Sequence, residues 1–120
     1  MMDISLQDLP VIDWNQSLKL VGHQQAIAEE LLGLLVKNLP NDMSAIQHAY
    51  STHDLLDLQK KVHKLHGAIS YCGVPRLKKI IVHLETNLKN NIIEDLPAIL
   101  HQLNDEARLV VTHQDSSNHK

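Results

Sequence analysis

The sequence predicts an all-α protein: an up-and-down antiparallel four-helix bundle with a short additional helix at its N-terminal end. Three observations predict it. Apolar residues recur at alternating spacings of three and four along most of the chain, the signature of helices with one buried face. No segment alternates with period two for long enough to demand a strand. The connections between the periodic segments are short, which makes successive helices antiparallel neighbours. At 120 residues the chain supports one core and not two. With Phe absent and Trp14, Tyr50 and Tyr71 the only aromatics, that core must be aliphatic.

The elements follow in order. Residues 1–12 read as an extended arm whose apolar residues (Ile4, Leu6, Leu9, Val11, Ile12) lie on the domain. Asp13 suits the N-cap of a short helix from Trp14 to about Leu20, and Gly22 interrupts it. A second helix is expected from about His23 to Asn38, with Ile27, Leu31, Leu34 and Leu35 inward. Pro40 lacks a backbone donor, so a kink or restart is expected there, with a continuation over 41–51. Thr52 or Asp54 starts the next helix, which ends near Cys72-Gly73. Pro75 suits the first turn of a further helix reaching about Lys89, with Leu77, Ile81, Leu84 and Leu88 inward. A last helix from Ile93 or Glu94 to about Thr112 turns Leu96, Leu100, Leu103, Ala107 and Val110 to one side. The bundle domain is thus expected over 13–113, with residues 114–120 a disordered polar tail.

Composition excludes several function classes. A net charge of −3 lacks the basic field of a nucleic-acid binder. No run approaches the ~20 apolar residues of a membrane span, so direct membrane contact is not expected. The acidic start, with Asp3 and Asp8, does not resemble a signal peptide. Cys72 is the single cysteine, which excludes an internal disulfide and suits a reducing, cytoplasmic setting. It continues an apolar seam and reads as an inert core thiol.

The chemistry concentrates in one helix. Leu55, Leu58, Val62, Leu65, Ile69 and Cys72 form its inward seam. His63 then sits about 135° from the centre of that seam, toward solvent, and His66 about 75° from it. Gln59, Lys60, Gly67 and Ser70 share the outer face, and Lys64 lies about 100° further round from His63. Glycine inside a helix costs about 1 kcal/mol against alanine. On an outer face, one turn from an exposed imidazole, Gly67 reads as clearance for an incoming partner rather than for a neighbouring helix.

These residues resemble the histidine phosphotransfer (HPt) family, whose helix carries His-x-Leu-Lys-Gly followed by small residues and, later, Gly and Leu. Here the pattern is His63-Lys64-Leu65-His66-Gly67-Ala68, then Gly73-Val74-Pro75-Arg76-Leu77. Ile12-Asp13-Trp14 upstream and Leu84-Glu85 downstream extend the likeness over roughly residues 11–110. The combination with Tyr71-Cys72-Gly73-Val74-Pro75 especially resembles the C-terminal HPt module of BarA-type hybrid sensor kinases. The resemblance implies that His63 accepts a phosphoryl group from a receiver-domain aspartate and hands it to the aspartate of a response regulator. It implies a carrier without ATP-dependent kinase activity, within or beside the cytoplasmic part of a membrane-bound sensor kinase. No cofactor is then required of this chain, and Mg²⁺ belongs to the receiver. The physical reading agrees: imidazole, with an ordinary pKa near ~6.5, keeps a lone pair for attack near neutral pH, and no phosphate-binding glycine loop is present.

The chain departs from that pattern at His66, where the family usually carries Lys. A neutral imidazole is expected to donate a hydrogen bond to the phosphoryl group while supplying less charge, which would make exchange sensitive to pH. Lys60, one turn earlier, is a substitute cation, and Lys64 a weaker one. Gly67, Gln59 and Ser70 complete the docking face. Glu85 is read as structural and Arg76 as a surface charge. Two other readings compete. In one, the chain is a helical adaptor without phosphotransfer that uses apolar residues such as Ile12 and Leu20. In the other, His63 and His66 ligate a metal with His83 or Glu85, against which stands the missing Glu-x-x-His ligand spacing. The remaining histidines (His23, His48, His53, His101, His113, His119) read as solvated or near helix ends, and a monomer is expected.

Overall fold

In a computed structural model, residues 6–118 are described. Among them the architecture is all-α: α1 (Trp14–Leu20), α2 (Gln25–Ser51), α3 (Leu55–Ile69), α4 (Pro75–Lys89) and α5 (Leu96–Asn118). The four longer helices close a ring in which α3 packs on α2 and α4, and α5 packs on α4 and α2, while α1 leans on α2. Local chemistry sets the starts. Asp13 and Asp54 accept from the backbone N–H of Gln16 and Asp57, each at 3.0 Å, and Pro75 occupies the first turn of α4. Gly22, His23, His53 and Asn91 turn the chain between helices with positive φ.

The core is aliphatic, as its composition requires. Leu58, Val62, Leu65 and Ile69 of α3 meet Leu77, Ile80, Ile81, Leu84 and Leu88 of α4 in one buried cluster. Leu96, Ile99, Leu100, Leu103, Ala107 and Val110 complete it from α5. Leu6, from the arm, is buried in it, and Val11, Ile12 and Trp14 pack against it; Ile4 lies outside the described residues. Cys72 is buried, and burial pushes its thiol up to about 11.

Several sequence expectations are corrected. The second helix does not restart at Pro40: α2 runs unbroken through it, with Pro40 exposed. An interior proline costs about 3 kcal/mol, and Leu32, Leu35, Leu39, Ile46 and Ala49, buried on both sides of it, offset that cost. The inward face of α2 is rotated from the one read from the sequence: Ala28 and Leu32 are buried, while Ile27 and Leu34 are exposed. Leu55, expected in the α3 seam, is also exposed. α2 begins at Gln25, because His23 is left-handed, and α5 begins at Leu96 and continues past Thr112 to Asn118. Residues 119 and 120 of the expected tail lie outside the described residues. Arg76 is not a surface charge. Its guanidinium holds the buried Glu106 carboxylate with Nε at 3.0 Å and Nη2 at 2.6 Å, tying α4 to α5.

The connection between α3 and α4 is fixed to the start of α1. Asp13 donates its backbone N–H to the Gly73 carbonyl at 2.8 Å. A Cβ on Gly73 would lie 2.2 Å from the Asp13 carbonyl oxygen and 2.8 Å from the Ser17 nitrogen. Both neighbours are backbone and neither yields without moving α1. Gly73→Ala is therefore expected to lose roughly 2–4 kcal/mol of stability in urea unfolding, and wild-type stability in that variant would refute the close approach.

Candidate functional site

α3 presents its polar side between two neighbours, and α4 decides what happens there. Glu85 follows Leu84, at the flank of the inward stripe of α4, and its side chain is only 8% exposed. It faces α3 with both oxygens. Oε2 lies 2.6 Å from His63 Nδ1, and Oε1 lies 2.6 Å from His66 Nδ1. His63 stands 76% exposed and His66 28% exposed, which agrees with the angles read from the seam.

The electrostatics follow from that fork. Burial pushes the Glu85 carboxyl up, but hydrogen bonds from His63 and His66, with the charge those rings carry when protonated, more than offset it. The net effect holds Glu85 below its ordinary value of 4.5, so it is a carboxylate near neutral pH. A carboxylate accepts and cannot donate. Each ring therefore directs an Nδ1–H at Glu85, which fixes the tautomer and leaves Nε2 as the outward atom. In His63 that atom belongs to a ring largely in solvent.

The other predicted site residues divide. Lys60 is exposed one turn before His63, and Gln59 is half-buried beside it. Gly67 has nothing within 4 Å of a hypothetical Cβ, so no packing within the bundle demands glycine there. Lys64 and Gly67, with Ala68 and Tyr71, line an open groove of about 530 Å³ against Leu31, Leu34 and Asn38 of α2. His63 and His66 do not line it. The exposed Leu34 and Tyr71 give this flank an apolar character. Ser70 has a different use: its hydroxyl donates to the His66 carbonyl at 2.8 Å and caps the end of α3.

Glu85 is the functional residue that sequence reading undervalued, naming it only as structural and as a ligand in the metal alternative. The available signal was a carboxylate on the flank of the α4 stripe opposite two imidazoles spaced i, i+3. Of the residues of that metal alternative, His63, His66 and Glu85 do meet, through Nδ1 hydrogen bonds. Among the described residues no group of three or more His, Cys, Asp or Glu is arranged to hold a metal ion. No described helix is long and apolar enough to cross a membrane.

Comparison with known proteins gives the arrangement its family. The model of the Hpt domain matches residues 30–113. The sensor protein GacS of Pseudomonas syringae pv. syringae is 34% identical over 106 residues, covering 83% of this chain and 12% of that protein. The signal transduction histidine-protein kinase BarA of Escherichia coli K12 is 30% identical over 96 residues, covering 79% of this chain and 10% of that protein. The chain thus spans only about a tenth of the length of these relatives. Among solved structures, the HPT domain of a sensor hybrid histidine kinase from Shewanella superposes with a TM-score of 0.82 at 31% identity, covering 89% of this chain and 92% of that one. The histidine-containing phosphotransfer protein HptB of Pseudomonas aeruginosa PAO1 shares the fold, with a TM-score of 0.78 at 19% identity over 90% and 94% of the two chains. The chain belongs to the Hpt domain family, the phosphoryl carriers of two-component phosphorelays.

Proposed function

We propose that His63 is the phosphoryl carrier of this domain and that Nε2 is the atom that carries the group. The observation that supports this most directly is the 2.6 Å contact of His63 Nδ1 with Glu85 on a ring that is otherwise in solvent. Holding hydrogen at Nδ1 leaves the Nε2 lone pair free to attack phosphorus. As the Nε2–P bond forms, the bond from phosphorus to the donor aspartate oxygen breaks and releases a carboxylate. The same step in reverse delivers the group to the next aspartate. Nδ1–H remains on Glu85 throughout, so the ring of phosphorylated His63 keeps its proton and stays a good leaving group.

The partners proposed are the receiver domain of a hybrid sensor kinase and the receiver of a response regulator. Mg²⁺ and the remaining charge neutralisation are assigned to those receivers, since phosphoryl transfer rests on positioning and electrostatics. The open backbone at Gly67 and the apolar groove beside it support close docking next to His63. Lys60 extends cationic reach on the same face. A monomeric, cytoplasmic carrier without kinase activity of its own is the form in which this site works.

Four outcomes test the reading. His63→Gln is expected to reduce phosphoryl uptake from a phosphorylated receiver to background while circular dichroism stays unchanged; undiminished uptake would favour a carrier elsewhere, and binding indifferent to phosphorylation would favour a plain adaptor. Glu85→Gln is expected to slow transfer about tenfold, a cost of about 1.4 kcal/mol in the barrier, because the tautomer is no longer enforced. The same carboxylate has a stability signature: being held below 4.5 when folded, it stabilises the fold above that pH and loses the contribution as pH falls through its depressed value. The urea midpoint is therefore expected to drop more between pH 5 and 3 in wild type than in Glu85→Gln. Gly67→Ala is expected to gain about 0.5–1 kcal/mol of stability yet transfer more slowly, as stopped-flow mixing with a phosphorylated receiver would reveal.

A further inference from the structure

Glu85 treats its two imidazoles alike, and the consequences for them are opposite. Each ring spends Nδ1–H on one carboxylate oxygen, at 2.6 Å in both cases. A neutral ring so held offers only a lone pair at Nε2. That is what His63 needs as a nucleophile. For His66 it is a defect, because a lone pair repels phosphoryl oxygens on the neighbouring ring. A neutral His66 held in this way has no N–H left for the phosphoryl group, because its one N–H faces Glu85. To donate outward it must gain a second proton at Nε2 and become a cation.

We propose that phosphorylation of His63 is coupled to the uptake of one proton by His66, which stabilises the phosphoryl group only as an imidazolium. The inference rests on the reading of His63 as acceptor. The two rings stand one turn apart on α3 and share the two oxygens of one carboxylate, which makes His66 the imidazole neighbouring the acceptor. At 28% exposure its ring still reaches solvent, from which the proton comes and to which it returns. The transfer itself balances as before: the N–P bond at His63 forms while the phosphorus–oxygen bond to aspartate breaks, and the added proton resides on His66 Nε2.

The charges around His66 leave room for this cation. α4 contributes Glu85, the one carboxylate hydrogen-bonded to the ring. Lys78 and Lys89 share that face of α4 within ~20° and ~40° of Glu85 by helical register, and both are exposed. On α3, His63 lies one turn away and the exposed Lys60 beyond it. From α2, Asp42 lines the groove with Lys64 and Gly67, which His66 does not enter. A phosphoryl dianion on His63 adds negative charge next to a ring that already holds one hydrogen bond to a carboxylate. That added charge favours the protonated form once His63 is phosphorylated.

Nitrogen-resolved NMR of the imidazoles, on the 120-residue chain before and after loading with phosphoramidate, tests the proposal, with phosphorus NMR reporting the N–P bond. In the resting protein both rings are expected as Nδ1–H tautomers. After loading, the titration of His66 is expected to move to higher pH by about half a unit or more. Correspondingly, the equilibrium between phosphorylated receiver and phosphorylated domain should fall about three- to tenfold from pH 6 to 8 relative to His66→Lys, whose cation is permanent. An unmoved His66 titration, parallel pH profiles of wild type and His66→Lys, or a phosphoryl group found on His66 would each overturn the coupling. Absence of any N–P signal on His63, with the His63→Gln control matching wild type, would instead defeat the acceptor reading and take the coupling with it.

Discussion

The packing of α3 against α4 is the constraint on which the rest depends, because it fixes the rotation of two helices about their axes at once. Leu58, Val62, Leu65 and Ile69 are buried with Ile81, Leu84 and Leu88 in one cluster, which sets the register of the two helices. In that register Glu85 meets two imidazoles and His63 faces outward. Aliphatic burial, which has no directional preference of its own, thereby sets hydrogen-bond geometry to within the tolerance of a carboxylate fork. A reactive side chain on a helix needs no pocket when its supporting group stands on the adjacent helix.

That support also explains how so exposed a ring is given a defined state. A histidine in water exchanges between tautomers, and a nucleophile that is correct part of the time is slower by that fraction. One buried carboxylate removes the ambiguity for two rings together, and the hydrogen bonds hold it ionised against the cost of burial. On the other side of α3, Gly67 stands open beside the groove against α2, which neither histidine lines. The helix therefore turns three different faces outward from its axis: an aliphatic seam, two imidazoles on one carboxylate, and an open groove.

How much of this was legible in the sequence depended on the range of each interaction. The seams of α4 and α5 were readable because one stripe dominates each, and every residue assigned inward there is buried. The exposure of His63 followed from the same arithmetic on α3. α2 was misread because it carries apolar residues on two faces, so a helical wheel does not choose between Ile27-Leu34 and Ala28-Leu32; only the neighbours choose. Pro40 looked like a break because local backbone chemistry says so, whereas burial along the whole length of α2 overrides it. Glu85 and the Arg76–Glu106 pair were hidden for one reason: their partners lie 19 to 30 residues away, and no local pattern encodes how two helices are turned toward each other.

The placement of Cys72 carries a further consequence. It stands within three residues of the end of the histidine helix, yet it is sealed in aliphatic side chains with its thiol at about 11. Thiolate, the species that peroxides and electrophiles attack, is therefore scarce at that sulfur under physiological conditions. That sulfur is therefore poorly placed to react with oxidants, although it lies just beyond the histidine helix. A message written in phosphorus is kept apart from one written in electrons.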